Sequence, residues 1–171
     1  MGAEPDSMTV GSASLLDVEV VLDDVGWGGC VEDPQGLCRD VLAHAARKIS
    51  EMVDGPTQVS VLLTGDERVR KLNAEFRHQD KPTNVLSFPS GDEDFETPAG
   101  PAFLGDIAIA LETVRREADA AGKPVEHHLA HLAVHGFLHL LGYDHVADSE
   151  AEEMETLERE ILSGLDIPAP Y

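Results

Sequence analysis

The segment His131-Leu-Ala-Val-His135-Gly136-Phe-Leu-His139-Leu-Leu-Gly142-Tyr-Asp144-His145 decides the reading of this chain. It closes an apolar stretch, Val125 to Leu141, whose length and pattern predict one long helix ended by Gly142. His135 and His139 are four residues apart, so a helix puts both imidazoles on one face, one turn apart. Two rings so placed can grip one ion in a geometry suited to zinc. His131 continues the same face, but it precedes His139 by about 12 Å along a helix axis. Zinc–nitrogen bonds are only about 2.0–2.1 Å, so His131 reads as a packing or supporting residue and not as a ligand. Gly142 offers a third ligand instead. A glycine at a helix end can turn the chain back on itself, and His145 can then fold toward the pair. The expected ligands are His135, His139 and His145, with a fourth position left to water, the arrangement of a catalytic site.

The full pattern, H-x-x-x-H-x-x-G-x-x-H, has the ligand spacing of the metzincin zinc proteases. One position departs from it. A zinc protease needs Glu directly after the first histidine as general base, and here that residue is Gly136. Glycine cannot accept a proton, which argues against peptide hydrolysis. The remaining histidines, His44, His78, His127 and His128, read as solvated.

Working outward, Leu16 to Leu22 alternates like a strand, and Gly26 to Asp33 reads as a loop. Leu37 to Met52 has helical spacing and is stopped by Gly55 and Pro56. Strands are expected at Thr57–Leu63, Thr83–Phe88 and Phe103–Ala110. Helices are expected at Asp66–Phe76, Glu112–Ala121 and Ser149–Leu162. Gly91 to Pro101 is an acidic, breaker-rich loop. The order β-α-β-α-β-β-α-α-α predicts an α+β domain, a small mixed four-stranded sheet packed with helices. The metal site lies on its long helix and the turn that follows. The expected organisation is a loose tail over 1–14, one domain over 15–165 and a short tail over 166–171.

The chain has 171 residues, with 12 Lys plus Arg against 33 Asp plus Glu, for a formal net charge of −21. Such a field repels nucleic acid and anionic membrane at long range. It leaves room for a local basic groove, because exposed charges are screened beyond roughly 10 Å at ~0.1 M salt. Arg68, Arg70, Lys71, Arg77 and Lys81 give the Arg68–Lys81 region a local excess of positive charge, the best candidate for an RNA path. Two cysteines, Cys30 and Cys38, are too few for a cysteine-based zinc ribbon and too far apart for a CxxC pair. No secretory leader and no membrane span is read from the sequence, which makes the cytoplasm the expected compartment.

HGFLHLLGYDH (His135 to His145) resembles the signature of the YbeY family, bacterial metal-dependent endoribonucleases of ribosomal RNA maturation. LNAEFRHQDKPTNVLSFP (Leu72 to Pro89) and LGDIAIA (Leu104 to Ala110) are similar to two further stretches of that family. The resemblance runs from about Leu16 to Leu162 and implies a zincin-like fold, with a mixed sheet packed on the metal-bearing helix. It implies one zinc per chain on His135, His139 and His145, and a functional arginine at Arg77. A guanidinium there suits phosphate, which it binds through two parallel hydrogen bonds. The implied activity is zinc-dependent, single-strand-specific RNA cleavage in 16S ribosomal RNA 3′-end maturation and ribosome quality control. The implied partners are precursor RNA and the ribosome, with ribosomal proteins and a ribosome-associated GTPase; neither DNA nor membrane is expected. The general base is open between Asp144 and Asp106, and the nucleophile between water and a ribose 2′-hydroxyl. Two other readings stand beside this one: a ribosome assembly factor whose zinc is mainly structural, and a hydrolase of a small phosphoester or amide.

Overall fold

The structure, a computed structural model, describes residues 16–49, 56–90, 102–143 and 148–170. The 1–14 tail, the Gly91–Pro101 loop, the expected end of the first helix at Met52 and Gly55, and both Asp144 and His145 lie outside the described residues.

Four strands form one sheet: β1 (Leu16–Leu22), β2 (Thr57–Thr64), β3 (Val85–Pro89) and β4 (Ala102–Ala110). Their order across the sheet is β1-β2-β4-β3. β1, β2 and β4 run parallel, and β3 pairs antiparallel to β4 at the edge. The helices are α1 (Pro34–Lys48), α2 (Asp66–Arg77), α3 (Leu111–Ala121), α4 (Val125–Leu140) and α5 (Asp148–Ser163). The expected α+β class and mixed four-stranded sheet are therefore found.

Helices pack on both faces of the sheet, on one of them only in part, where Val21 and Asp106 stay exposed. On one face Val59, Val61, Leu63, Ile107 and Ile109 pack with residues of α1, α4 and α5 in the main core. On the other, Val69 of α2 packs over Leu86, Ala108 and Ala110. Alternation along β4 follows from the pleat: Ile107 and Ile109 belong to the main core, Ala108 and Ala110 to the smaller one. α4 is the central helix. Between Leu129 and Leu140 every residue is buried except His131, His135 and His139, which are half-buried. A helix apolar on nearly all sides belongs inside a domain, and its one polar stripe is the histidine row.

Local chemistry sets the ends of the elements. The first helix begins at Pro34 and not at Leu37, because the Asp33 side chain accepts the Gly36 N–H at 3.1 Å and Pro34 occupies the first turn. α2 and α3 cap each other. The Asp66 carboxylate accepts the Thr113 N–H at 3.0 Å, and the Glu112 carboxylate accepts the Asp66 N–H at 2.7 Å. The stretch read as a loop from Gly26 holds a short 3₁₀ helix, Val25–Gly29, with Trp27 wholly buried and its indole N–H donating to the Thr64 carbonyl at 3.0 Å. Five residues cannot show a helical period, so burial of that tryptophan is decided by its distant partner. β3 starts at Val85, two residues later than expected; the Asn84 side chain accepts the Val85 N–H at 2.6 Å. No helix among the described residues is long and apolar enough to cross a membrane.

Candidate active site

α4 ends in a glycine turn that shapes the site. Gly142 has φ +104°, a conformation that side chains disfavour. Its N–H donates to the His139 carbonyl, and the Tyr143 N–H donates to the Leu138 carbonyl, each at 3.0 Å. These two bonds are the paired 5→2 and 6→1 closures of a Schellman motif. The motif turns the Tyr143 carbonyl back toward the helix, where it lies 3.0 Å from Nδ1 of His139. A carbonyl only accepts, so Nδ1 of His139 carries the hydrogen and Nε2 presents its lone pair.

His135 is fixed in the same sense from another direction. Its Nδ1 lies 2.6 Å from Oε2 of Glu158 on α5. Oε1 of Glu158 lies 3.1 Å from Nε2 of His131, one turn earlier on α4. The Glu158 side chain is fully buried. With both Nδ1 atoms engaged, the Nε2 atoms of His135 and His139 face each other at 3.1 Å. Two nitrogens on one tetrahedral zinc stand roughly 3.3 Å apart, from bonds of about 2.0–2.1 Å, so this pair fits an ion. His131, His135 and Glu158 form a second group that could hold a metal ion, with ligand atoms within 4.8 Å of one another.

The histidine pair opens on a cleft of about 600 Å³ between α4 and the edge strand β3. Arg77, the last residue of α2, lines that cleft with Asn84, Ser87, His135 and His139. Its guanidinium donates to the Ser87 carbonyl and lies 5.4 Å from the centre of the Phe88 ring. Among the described residues it makes no ion pair. Other cations of the basic stretch are engaged: Arg70 pairs with Glu67 and Asp80, and Arg68 lies 3.7 Å from Asp23. The start of β3 is held from behind. Glu117 accepts from Asn84 at 3.0 Å and lies 2.8 Å from Nε2 of His128. His128, expected to be solvated, is thus buried, and burial draws its pKa below the usual histidine range.

Asp106 is not brought to the histidines. It lines a larger cavity of about 900 Å³ with Leu62, Leu72 and Phe76, and its neighbour Ile107 points to α4. The larger cavity shares Arg77 with the cleft but touches none of the described histidines, so size does not mark the reactive site. Burial, with the charge of Glu19 adding to it, raises the Asp106 pKa against a hydrogen bond from Ser60. Gly136, where a zinc protease carries its base, faces the sheet. A Cβ there would stand 2.9 Å from Cγ2 of Ile107. Sequence reading did not single out Glu158, yet a signal exists. On α5 it shares a face with Met154, Ile161 and Leu162, a carboxylate in an apolar stripe.

Residues 31–166 match the family model described as Endoribonuclease YbeY. A Rhodopseudomonas palustris strain CGA009 protein of that name is 47% identical over 175 positions, covering 99% of this chain and 90% of its own length. The strain BisA53 protein of the same name is 56% identical over 135 positions, covering 77% of this chain and 78% of its own. The solution structure of TM1509 from Thermotoga maritima is similar at a TM-score of 0.56 and 25% identity, over 87% of this chain and 91% of that one.

Proposed function

The chain belongs to the YbeY endoribonuclease family, and from that premise we propose that it is a zinc-dependent, single-strand-specific endoribonuclease. Its role is 16S ribosomal RNA 3′-end processing and ribosome quality control in the cytoplasm, working on the ribosome and its RNA precursor beside ribosomal proteins and a ribosome-associated GTPase. One zinc is held by His135, His139 and His145. The observation that carries the reading is the meeting, in one cleft, of two converging imidazole nitrogens and an arginine that makes no ion pair among the described residues. In a chain of −21 such a cation is conspicuous, and it stands where a phosphodiester beside the metal would need it.

When bound, zinc supplies Lewis acidity, polarising a phosphate oxygen and lowering the pKa of water. The protein does the rest. Tyr143 fixes the His139 tautomer with its carbonyl, which keeps the ligand nitrogen aimed before metal arrives. Arg77 exchanges the Ser87 carbonyl for the scissile phosphate and offsets charge that builds up as the ester breaks. Asp144, next to His145 in the chain, is the candidate to orient that ligand or to take a proton. We assign Asp106 no role in the proton transfer; it lines the larger cavity, which shares Arg77 with the cleft but none of the described histidines.

The test is metal analysis of the purified chain together with cleavage of a single-stranded RNA before and after chelation. The expected result is close to one zinc per chain and cleavage that stops on chelation and returns with zinc. RNA cleavage indifferent to chelation would overturn the metal, and metal-dependent peptidase activity in place of RNA cleavage would overturn the substrate.

A further inference from the structure

Glu158 is a carboxylate in a place built for hydrocarbon. It is fully buried on α5 among Met154, Ile161 and Leu162, at the face that packs on α4. A buried charge is costly unless it is paired, and replacing a buried polar cluster by a well-packed apolar side chain is often neutral or stabilising. Stability alone therefore does not account for a carboxylate here. Its geometry does. The two oxygens reach two successive turns of α4, Oε1 to Nε2 of His131 at 3.1 Å and Oε2 to Nδ1 of His135 at 2.6 Å.

Two roles fit a carboxylate beside a metal site, ligand or support. If Glu158 and Nδ1 of His135 were both ligands of one ion, they would stand roughly 3.3 Å apart, given bonds near 2.0–2.1 Å. They stand 2.6 Å apart, closer than two ligands of one ion and at the distance of a short hydrogen bond. The two nitrogens of one imidazole also point away from each other. A ring whose Nδ1 is held by Glu158 presents Nε2 on the far side, and that is where Nε2 of His139 lies, at 3.1 Å.

We infer that Glu158 is a positioning residue of the metal centre: it fixes the tautomer and ring plane of His135 and holds His131 as a support, outside the ligand set. The inference rests on the zinc reading above. A carboxylate behind a ligating imidazole raises its basicity and orients it, and loss of such a partner typically lowers metal affinity 10–100-fold. His131 then has a reason to be histidine. It occupies the other carboxylate oxygen, so that Glu158 cannot rotate away from His135.

The experiment uses the full-length chain and zinc alone, with affinity measured by competition against a chelator. Cobalt(II) substitution supplies a spectrum that reports the ligand set. Glu158→Gln keeps the shape and an acceptor for Nδ1 but loses the charge; Glu158→Leu removes both. Glu158→Leu should weaken zinc binding about 10–100-fold, with Glu158→Gln falling between it and the parent. Stoichiometry at saturating metal and the tetrahedral cobalt bands should be kept, and the metal-free melting temperature of Glu158→Leu should be no lower than the parent's. If Glu158 were a ligand, both variants would lose the parent's cobalt bands, and the inference would fall. Unchanged affinity with a lower metal-free melting temperature would make the role structural and overturn it. So would failure of both variants to fold without metal. Parent protein that binds no zinc, or binds it as well after His139→Ala, would instead overturn the zinc reading itself.

Discussion

Gly136 lies directly against Ile107, so close that a Cβ on the glycine would stand 2.9 Å from the isoleucine Cγ2 and 3.4 Å from Cδ1. The missing side chain lets α4 settle onto β4. Replacing Gly by Ala in a helix gains about 1 kcal/mol of propensity. Overpacking a filled core costs typically about 1–3 kcal/mol, and a β-branched methyl on a central strand has little room to yield. The clash should therefore win, and Gly136→Ala should lower the melting temperature. Gly136→Glu should be far worse, because it drives a charge into the sheet, and it should gain no peptidase activity. A stable, peptidase-active Gly136→Glu protein would contradict this packing.

Metal removal separates a catalytic zinc from a structural one. The core around α4 is built from apolar contacts with the sheet, α1 and α5, so the metal-free chain should remain folded. Binding at a hundredfold excess over Kd adds about 2.7 kcal/mol. At about 2–4 °C per kcal/mol for a chain of this size, chelation should lower the melting temperature by roughly 5–10 °C while abolishing RNA cleavage. Circular dichroism with and without chelator checks it. Loss of the folded state on chelation would favour the assembly-factor reading.

Most of the fold is legible in the sequence because its elements are long and regularly patterned. β1 alternates over seven residues, and the His135–His139 spacing puts two rings on one turn. The failures share a physical cause: each depends on a partner far away in the chain. Trp27 is buried by a bond to a residue 37 positions on. His128 looks like a polar residue near a helix start until Glu117 of α3 meets it. Glu158 comes to His135 across 23 positions. Asp106 is a different case: alternation along β4 puts it on the sheet face opposite Ile107, away from the described histidines.

Gly142 should be necessary to the site as well as to the turn. At φ +104° a side chain is strained, and such backbone strain costs on the order of 1–3 kcal/mol. Gly142→Ala should therefore destabilise the chain, and it should also weaken zinc binding by displacing the Tyr143 carbonyl from His139. Gly122 is the control. It too has positive φ, at +67°, but it ends α3 in open space. Gly122→Ala should lower the melting temperature without changing zinc affinity; equal effects of the two on zinc would dissociate the turn from the metal.

Asp106 carries a pH signature of its own. Burial raises its pKa in the folded chain, so between the ordinary carboxylate range and that raised value the folded state binds more protons than the unfolded one. Stability is then lost as pH rises through this window. Asp106→Asn removes the loss and can still accept from Ser60. It should melt slightly higher than the parent at neutral pH, within about 0.5 kcal/mol because the residue is largely exposed, and the same as the parent in acid below the carboxylate range. Zinc content and RNA cleavage should be unaltered. A cleavage defect in stable, zinc-loaded Asp106→Asn protein would return this residue to the reaction.

Arg77 is the side chain whose two roles compete most directly. As placed, it ties the end of α2 to the edge strand through the Ser87 carbonyl and covers Phe88. The bond is exposed, and a typical hydrogen bond contributes only about 0.5–1.5 kcal/mol net. Arg77→Ala should thus cost little stability. Its effect on chemistry should be much larger. Removing one donor that stabilises transition-state charge typically lowers the rate by about 10²–10³, and among the described residues the guanidinium is the one Lys or Arg group lining the cleft. Arg77→Lys keeps the charge but loses the planar fork that grips two phosphate oxygens, so it should cut the cleavage rate at saturating RNA more than it weakens RNA binding. Arg77→Ala should be at least as damaging, with zinc content unchanged. Rate, RNA affinity, zinc content and melting temperature measured on the same two variants decide the matter. A purely structural arginine would show the reverse pattern, a clear fall in melting temperature with activity lost only in proportion to folded protein. Normal cleavage by stable Arg77→Ala protein would leave the cleft without its phosphate contact and the histidines as its only functional groups.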